Sequence, residues 1–377
     1  MQRNIYALKD TAKLISPALV YYKDIILENT LQIIKMAGGP EQLWPHVKSH
    51  KTTEMIRMQI ELGITRFKCA TIAEAEITAE AGAAHLIFAY PLIGPNIERF
   101  LKLARDFSQT VFYAIGDDLQ QLSLLSEEAC RAGMSVNFLV DTDLGMHRTG
   151  VPLDLLESFC ERASALKGIK LKGLHCYDGH CHGDPDVRKA MVDASDRKVL
   201  EMQALLRKKG HECDILVMGG TPAFPCRAGK TGFYLSPGTL FLSDGKSTSE
   251  LTEVSFTPGA ALFCRVVSHC GRKSSGLISA DNIFTIDLGC KGISTDQSGD
   301  RGAIAGLPEA RPVLHSEEHW VFSLPEGMEP PAVGSECYVI PAHICPTSAL
   351  YPEIQIAQGG KITGQWQVGA RNRKIKY

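Results

Sequence analysis

Leu43-Trp44-Pro45-His46-Val47-Lys48-Ser49-His50-Lys51 closes a short apolar run on a lysine flanked by two histidines, and a helical pattern over 52–62 follows. Function in a barrel of alternating strands and helices gathers at the C-terminal ends of its strands. A lysine standing there can form a Schiff base, because burial or nearby cations lower the pKa of its amine. His46 and His50 are suitable neighbours for such an amine and could also shuttle protons. Taken alone, the stretch also reads as a surface Lys/His turn before a helix. The pattern on either side favours the barrel.

From about residue 24 to 245, strand-like and helix-like segments alternate. Apolar or β-branched runs fall at 43–48, 66–71, 85–91, 111–116, 135–141, 169–177, 214–220 and 233–240. Between them, 72–81, 97–107, 119–132 and 153–166 carry apolar residues at three- and four-residue spacing, as amphipathic helices do. Eight strands with intervening helices predict a (β/α)8 TIM-like barrel of the usual size, about 250 residues. A doubly wound sheet is the alternative, but no GxGxxG follows the first strand. After Asp244 the pattern shortens to alternating strands between Gly/Pro turns, at 261–268, 282–287, 319–323, 336–340 and 353–356, which predicts an all-β domain. The run 18–21 is too short to stand alone and is expected to pair with that domain. The expected division is a barrel over 24–250 and a β-domain of 1–23 plus 251–377. The polar, glycine-rich stretch 294–306 reads as a mobile loop.

Bulk properties narrow the function classes. The 377 residues are 44% hydrophobic, enough for a large core, and the formal charge is -2. No dense basic block suggests nucleic acid or an anionic membrane surface. No apolar run approaches the ~20 residues that span a bilayer, and the start of the chain lacks a signal-peptide pattern. Twelve cysteines are scattered without a paired framework and read as reduced thiols. The expectation is a cytoplasmic protein.

Residues with chemical potential recur at strand ends. Lys48 ends the first. Asp141 to Gly150 follow the fifth, and Cys176-Tyr177-Asp178-Gly179-His180 end the sixth. Met218-Gly219-Gly220-Thr221-Pro222 end the seventh, and Ser236-Pro237-Gly238-Thr239 lie in the eighth. Glycine turns at the last two strands match the usual barrel phosphate site, where backbone N–H groups meet an anion. Further on, Pro341-Ala342-His343-Ile344-Cys345-Pro346-Thr347 places a histidine and a cysteine two apart. In an extended segment both would project from one face, and an N/S pair suits zinc with positions left open. It could equally be a buried cysteine beside a capping histidine. His175, Cys176, Cys181 and His182 suggest a zinc knuckle, but the spacing is not CxxC and alternation separates His175 from Cys176. Structural or supporting roles suit most of that cluster better.

Together these motifs resemble the metal-activated, fold-type III pyridoxal phosphate (PLP) enzymes related to alanine racemase: the D-serine dehydratase and D-threonine aldolase family. The resemblance runs from Ser16-Pro17-Ala18-Leu19-Val20 through His46 to Lys51, Asp141 to Gly150, Tyr177 to His180, Gly219 to Pro222, Pro237-Gly238-Thr239 and Asp287 to Lys291, and ends at His343 to Thr347. It implies that Lys48 bears PLP with His46 beside it, and that Arg148 meets the phenolic oxygen. Tyr177 would lie against the ring or its nitrogen. Gly220, Thr221, Gly238 and Thr239 would hold the phosphate, and His343 with Cys345 would bind zinc or another divalent metal. It also implies an alanine racemase-like barrel plus β-domain, commonly a homodimer. One departure is Trp44, where the family commonly has arginine, so a polar contact near the lysine is lost.

The activity implied is that of a PLP- and Zn-dependent lyase for D-3-hydroxy amino acids, taking D-serine to pyruvate and ammonia. Lys48 would remove the Cα proton while the metal helps the hydroxyl leave. The dehydratases have His-x-Cys where the aldolases tend to His-x-Asp, which favours elimination. The alternatives are a D-threonine aldolase, an amino-acid racemase and a non-catalytic PLP-binding protein. The expected partner is a small D-amino acid, with no nucleic acid and no membrane.

Overall fold

A computed structural model describes residues 4–269 and 282–377; the remaining stretches of the expected β-domain, 1–3 and 270–281, lie outside the described residues. The chain forms two compact units. One comprises Thr30–Gly238, Glu250–Val254 and Gly369–Tyr377; the other comprises Met1–Asn29, Thr239–Ser249 and Ser255–Val368.

The first unit is the barrel. Arg66–Cys69, His85–Phe88, Val111–Gly116, Val136–Asp143, Ile169–Cys176, Ile215–Met218 and Tyr234–Leu235 pair in that order, all parallel. The first expected strand differs in kind. Leu43 bridges Leu235 and His46 bridges Lys68, so residues 43–46 run between the two sheet edges and close them. Pro45 has no N–H to give, which keeps this stave to isolated bridges. Its carbonyl still accepts from Lys68 N–H at 2.7 Å, and Trp44 N–H donates to Leu235 O at 2.7 Å. Lys48 consequently lies in a short 3-10 turn, Val47–Ser49, just beyond the stave rather than on a strand.

Alternation along the staves builds the interior in layers. Trp44, Ile87, Tyr113, Ile115, Leu139 and Val217 form an apolar plug. Trp44 is buried in it with its indole N–H on Phe67 O at 2.6 Å, so it fills the barrel floor and leaves no polar group unpaired. Two residues further along three staves the interior turns polar, at His46, Asp141 and His175. Gly173 sets the phase of the last. The register shifts by one there, and a Cβ on Gly173 would lie 1.8 Å from Ile215 O, so only glycine admits the kink.

The outer helices follow the expected pattern closely: Thr53–Glu61, Ile72–Glu80, Pro95–Asp106, Leu119–Arg131 and Leu156–Ser164. Thr71 caps the second, its Oγ1 accepting from Glu74 N–H, while Glu74 Oε2 reaches back to Ala70 N–H, one residue before the cap. Pro185–Lys208, the longest helix among the described residues, lies where an intervening helix is expected between the sixth and seventh staves but was not among the clear cases; its charged face hid the apolar stripe Val192, Val199 and Leu206.

The second unit is, among the described residues, a nine-stranded, mostly antiparallel sheet. Ala18–Tyr22 lies in it between Ala260–Ser268, antiparallel, and Glu353–Gln358, parallel. Its core gathers Tyr6, Val20, Tyr22, Phe263 and Tyr338. Gly302–Ile304 is a strand within the stretch expected to be a mobile loop. No helix among the described residues is long and apolar enough to cross a membrane.

Candidate active site

The polar end of the barrel opens into a cavity of ≈ 580 Å³ lined by His46, Lys48, Lys68, Asp141, Arg148, His175 and Tyr177, among others. Each side chain is aimed by local structure. His46 caps the turn that carries Lys48, its Nδ1 accepting Lys48 N–H at 3.2 Å. Burial, and then the charges on Lys48 and Lys68, hold the His46 imidazole neutral by pushing its pKa well below the usual value. Lys51 does not line the cavity; its ammonium pairs with the buried carboxylate of Glu74. His50 is likewise away from the cavity, its ring bonded to Thr52, and burial together with Lys51 depresses it to about 3. Of the two expected neighbours of Lys48, only His46 is beside it.

Arg148 is presented by a loop that Asp143 organises. Asp143 Oδ1 accepts from the N–H groups of Gly145 and His147, an Asx-type turn. The Arg148 guanidinium lies 4.7 Å from the Tyr177 ring centroid. Lys48 Nζ lies 5.8 Å and Lys68 Nζ 5.9 Å from the same centroid. One aromatic ring thus has three cationic side chains against it. Tyr177 is held by its neighbours: a Cβ on Gly220 would meet its Cε2 at 2.6 Å. Alternation turns Asp178 the other way, onto Arg227, with both side chains completely buried. Arg227 also bonds Asp196 from its Nε at 2.7 Å.

Lys68 was not singled out from sequence, and Asp141 and His175 entered only as the start of the 141–150 motif and as part of a cluster given structural or supporting roles. His175 Nδ1–H donates to Asp141 Oδ1 at 2.7 Å, and its Nε2 accepts from Lys68 Nζ at 3.3 Å. All three are buried. Burial works to raise the Asp141 carboxyl, but hydrogen bonds from His175 and Thr149 and the charge on Lys68 hold it below its ordinary range. Burial, then Lys68, lowers His175. Burial and then Lys48 bring Lys68 down to about 7, against the pull of Asp141 and Asp178. A signal for Lys68 was present: it is a lysine in the inward phase of a strand that otherwise reads as core, beside Phe67 and Cys69.

The glycine turns at the last two staves are joined, Thr221 Oγ1 accepting Gly238 N–H at 3.3 Å. A Cβ on Gly219 would fall 2.4 Å from Arg227 Nη1, so the backbone here comes as close as it can. A cavity with three cationic side chains, two histidines and one carboxylate, with Gly220 packed against its Tyr177, suits an anionic ring cofactor, the group that the resemblance implies.

Thr239 belongs to the second unit, as do His343 and Cys345. There the extended-segment expectation is corrected. His343 precedes the helix Ile344–Leu350 as its N-cap, and Cys345 lies inside that helix, so helix geometry replaces the shared strand face. The two side chains still interact, and Thr239 Oγ1 meets Cys345 Sγ at 3.2 Å. His343 Nδ1 meets Asp296 Oδ2 at 2.6 Å. Burial works to lower the His343 pKa, but Cys345 and Asp296 carry it up to about 9. An imidazole and a thiol with a carboxylate behind the imidazole form a donor set suited to zinc. Among the described residues, no three His, Cys, Asp or Glu side chains form a ready metal cluster. His182, from the knuckle-like group, lies near Glu250 instead, and Cys176 is fully buried.

Residues 23–241 match the family described as alanine racemase, N-terminal domain, and 260–357 match "Putative serine dehydratase domain". D-threonine aldolase of Arthrobacter sp is 27% identical over 337 residues, covering 87% of this chain and 85% of the aldolase. D-threo-3-hydroxyaspartate dehydratase of Delftia sp. (strain HT23) is 20% identical over 382 residues, covering 93% of this chain and 96% of the dehydratase. The crystal structure of D-threonine aldolase from Filomicrobium marinum is similar with a TM-score of 0.85 at 25% identity, covering 98% of this chain and 99% of that one.

Proposed function

As the chain belongs to the alanine racemase N-terminal domain family, we propose that it is a PLP- and divalent-metal-dependent lyase of D-3-hydroxy amino acids that releases a 2-oxo acid and ammonia, with D-serine as the first substrate to try. The observation that carries this reading is Lys48 on its histidine-capped turn, in a cavity with Arg148, Tyr177 and Lys68. Bound PLP supplies an electron sink for a carbanion at Cα, and a metal on His343 and Cys345 supplies Lewis acidity for the β-oxygen. The protein's own residues do the rest. Lys48 would hold the cofactor and is the amine that would take the Cα proton. Arg148 and Tyr177 orient the ring, and the Gly220, Thr221, Gly238 and Thr239 turns hold the phosphate. Asp296 fixes the imidazole of His343.

The second reading is an aldolase that yields glycine and an aldehyde, and the likeness to the two D-threonine aldolases supports it. The pair His343 and Cys345 favours the dehydratase. Incubation with D-serine, D-threonine and D-3-hydroxyaspartate, with PLP and Zn²⁺ added, separates the two. We expect 2-oxo acid and ammonia, lost in Lys48→Ala. Glycine as the main product from D-threonine would replace the dehydratase with the aldolase.

A further inference from the structure

Lys68 has no part in the chemistry assigned to Lys48, yet its side chain is spent in the barrel interior. It is 3% exposed, and lysines are almost never so buried unless paired. The partner at Nζ is an imidazole, not a carboxylate. Because Asp141 accepts from His175 Nδ1, the Nε2 lone pair is turned to Lys68 and the ring carries no proton there. The nearest negative charge is thus one imidazole away. On the other side, Lys48 and Arg148 share the Tyr177 ring with it.

We propose that Lys68, held by His175 and Asp141, is a positioning residue whose charge sets the proton affinity of the Lys48 nitrogen in the cofactor-loaded protein. This rests on Lys48 as the cofactor-bearing residue. Two amines beside one ring do not both keep a proton cheaply, since a like charge disfavours the charged form of its neighbour. A neighbouring cation is one of the established ways to make a lysine nucleophilic near neutral pH. The depressed pKa of Lys68 accords with the same mutual repulsion. The groups around Lys68 are His46 and Lys48 from the first stave and its turn, Asp141 and Arg148 from the fifth, and His175 and Tyr177 from the sixth, while Asp178 acts on it from the other face of that stave. Only the two aspartates oppose the repulsion.

The test is the visible absorbance of the full-length, PLP-loaded protein as a function of pH, in wild type, Lys68→Arg and Lys68→Met. A permanent cation at 68 disfavours a proton on the Lys48 nitrogen, and a neutral side chain of similar length relieves that. The midpoint of the absorbance change should fall in Lys68→Arg and rise in Lys68→Met, about one pH unit apart, with wild type between. Lys68→Gln, neutral but polar, should side with Met and replaces it if Met at that position does not fold. A purely structural role would move the Arg and Met variants the same way or not at all, and coincident midpoints overturn the inference. Lys48→Ala is run beside them. If it keeps the wild-type absorbance, the assignment of Lys48 has failed; if it loses the absorbance while the midpoints at 68 coincide, only the role of Lys68 has failed.

Discussion

Asp296 decides which nitrogen of His343 can face a metal. Its Oδ2 lies 2.6 Å from Nδ1, while Gln297 Nε2 approaches the same nitrogen at 3.3 Å. The shorter, charge-assisted contact wins, so Nδ1 carries the proton and Nε2 is left for an ion. Carboxylates in this position typically account for 10–100-fold in metal affinity. We expect Asp296→Ala to weaken zinc binding by roughly that factor in competition with a chromophoric chelator, and His343→Ala and Cys345→Ala to weaken it more. Unchanged affinity in Asp296→Ala would leave the carboxylate without this role. His343 and Cys345 drew attention as a pair in the sequence, but for a geometric reason that fails. Residues two apart in a helix point about 200° apart, and the pair meets because His343 caps the helix from outside. Asp296 is 47 positions away, and no local pattern links it to His343.

At the scale of elements, the Arg227 cluster ties together three pieces of the barrel unit. It joins the end of the sixth stave through Asp178, the long helix Pro185–Lys208 through Asp196, and the turn at Gly219 by close approach. Removing one partner of such a buried set strands the others as unpaired charges. Arg227→Ala should therefore cost about 3–5 kcal/mol, measured by urea unfolding, and should loosen cofactor binding because Tyr177 adjoins Asp178. A loss below about 1 kcal/mol, the range of an exposed ion pair, would mean the cluster is not a clamp. The helices were legible because apolar spacing and caps such as Thr71/Glu74 are local. The closing stave was legible as an apolar run but not as a set of bridges, since its pairing depends on both sheet edges arriving at it.

For the molecule as a whole, the segment 369–377 joins the barrel unit although it comes after the β-unit in sequence. Its anchor is Glu76, a 1% exposed carboxylate that accepts the N–H groups of Lys376 and Tyr377. Tyr377 Oη adds a bond to Asp106 at 2.7 Å, and Arg99 donates to Tyr377 O at 2.9 Å. Deleting 372–377 should leave Glu76 without these donors and lower barrel stability by about 1–3 kcal/mol, seen as a shift of the urea midpoint. A midpoint equal to that of the full chain would show the segment to be dispensable.

By itself the sequence determined the alternation of strand and helix up to about residue 245 and the β character of the chain beyond it, and it singled out Lys48 as the candidate amine, because periodicity, turn residues and a lysine closing an apolar run are properties of short stretches. Only the tertiary structure decided that Lys68, Asp141 and His175 meet. They come from three staves, and a single-residue kink at Gly173 sets the inward phase of the third. The same holds for Arg227 beneath Gly219 and for Asp296 behind His343. Each is a contact between residues far apart in the chain, fixed by register and packing, and a polar residue in a strand carries no local mark of which partner the barrel will bring to it.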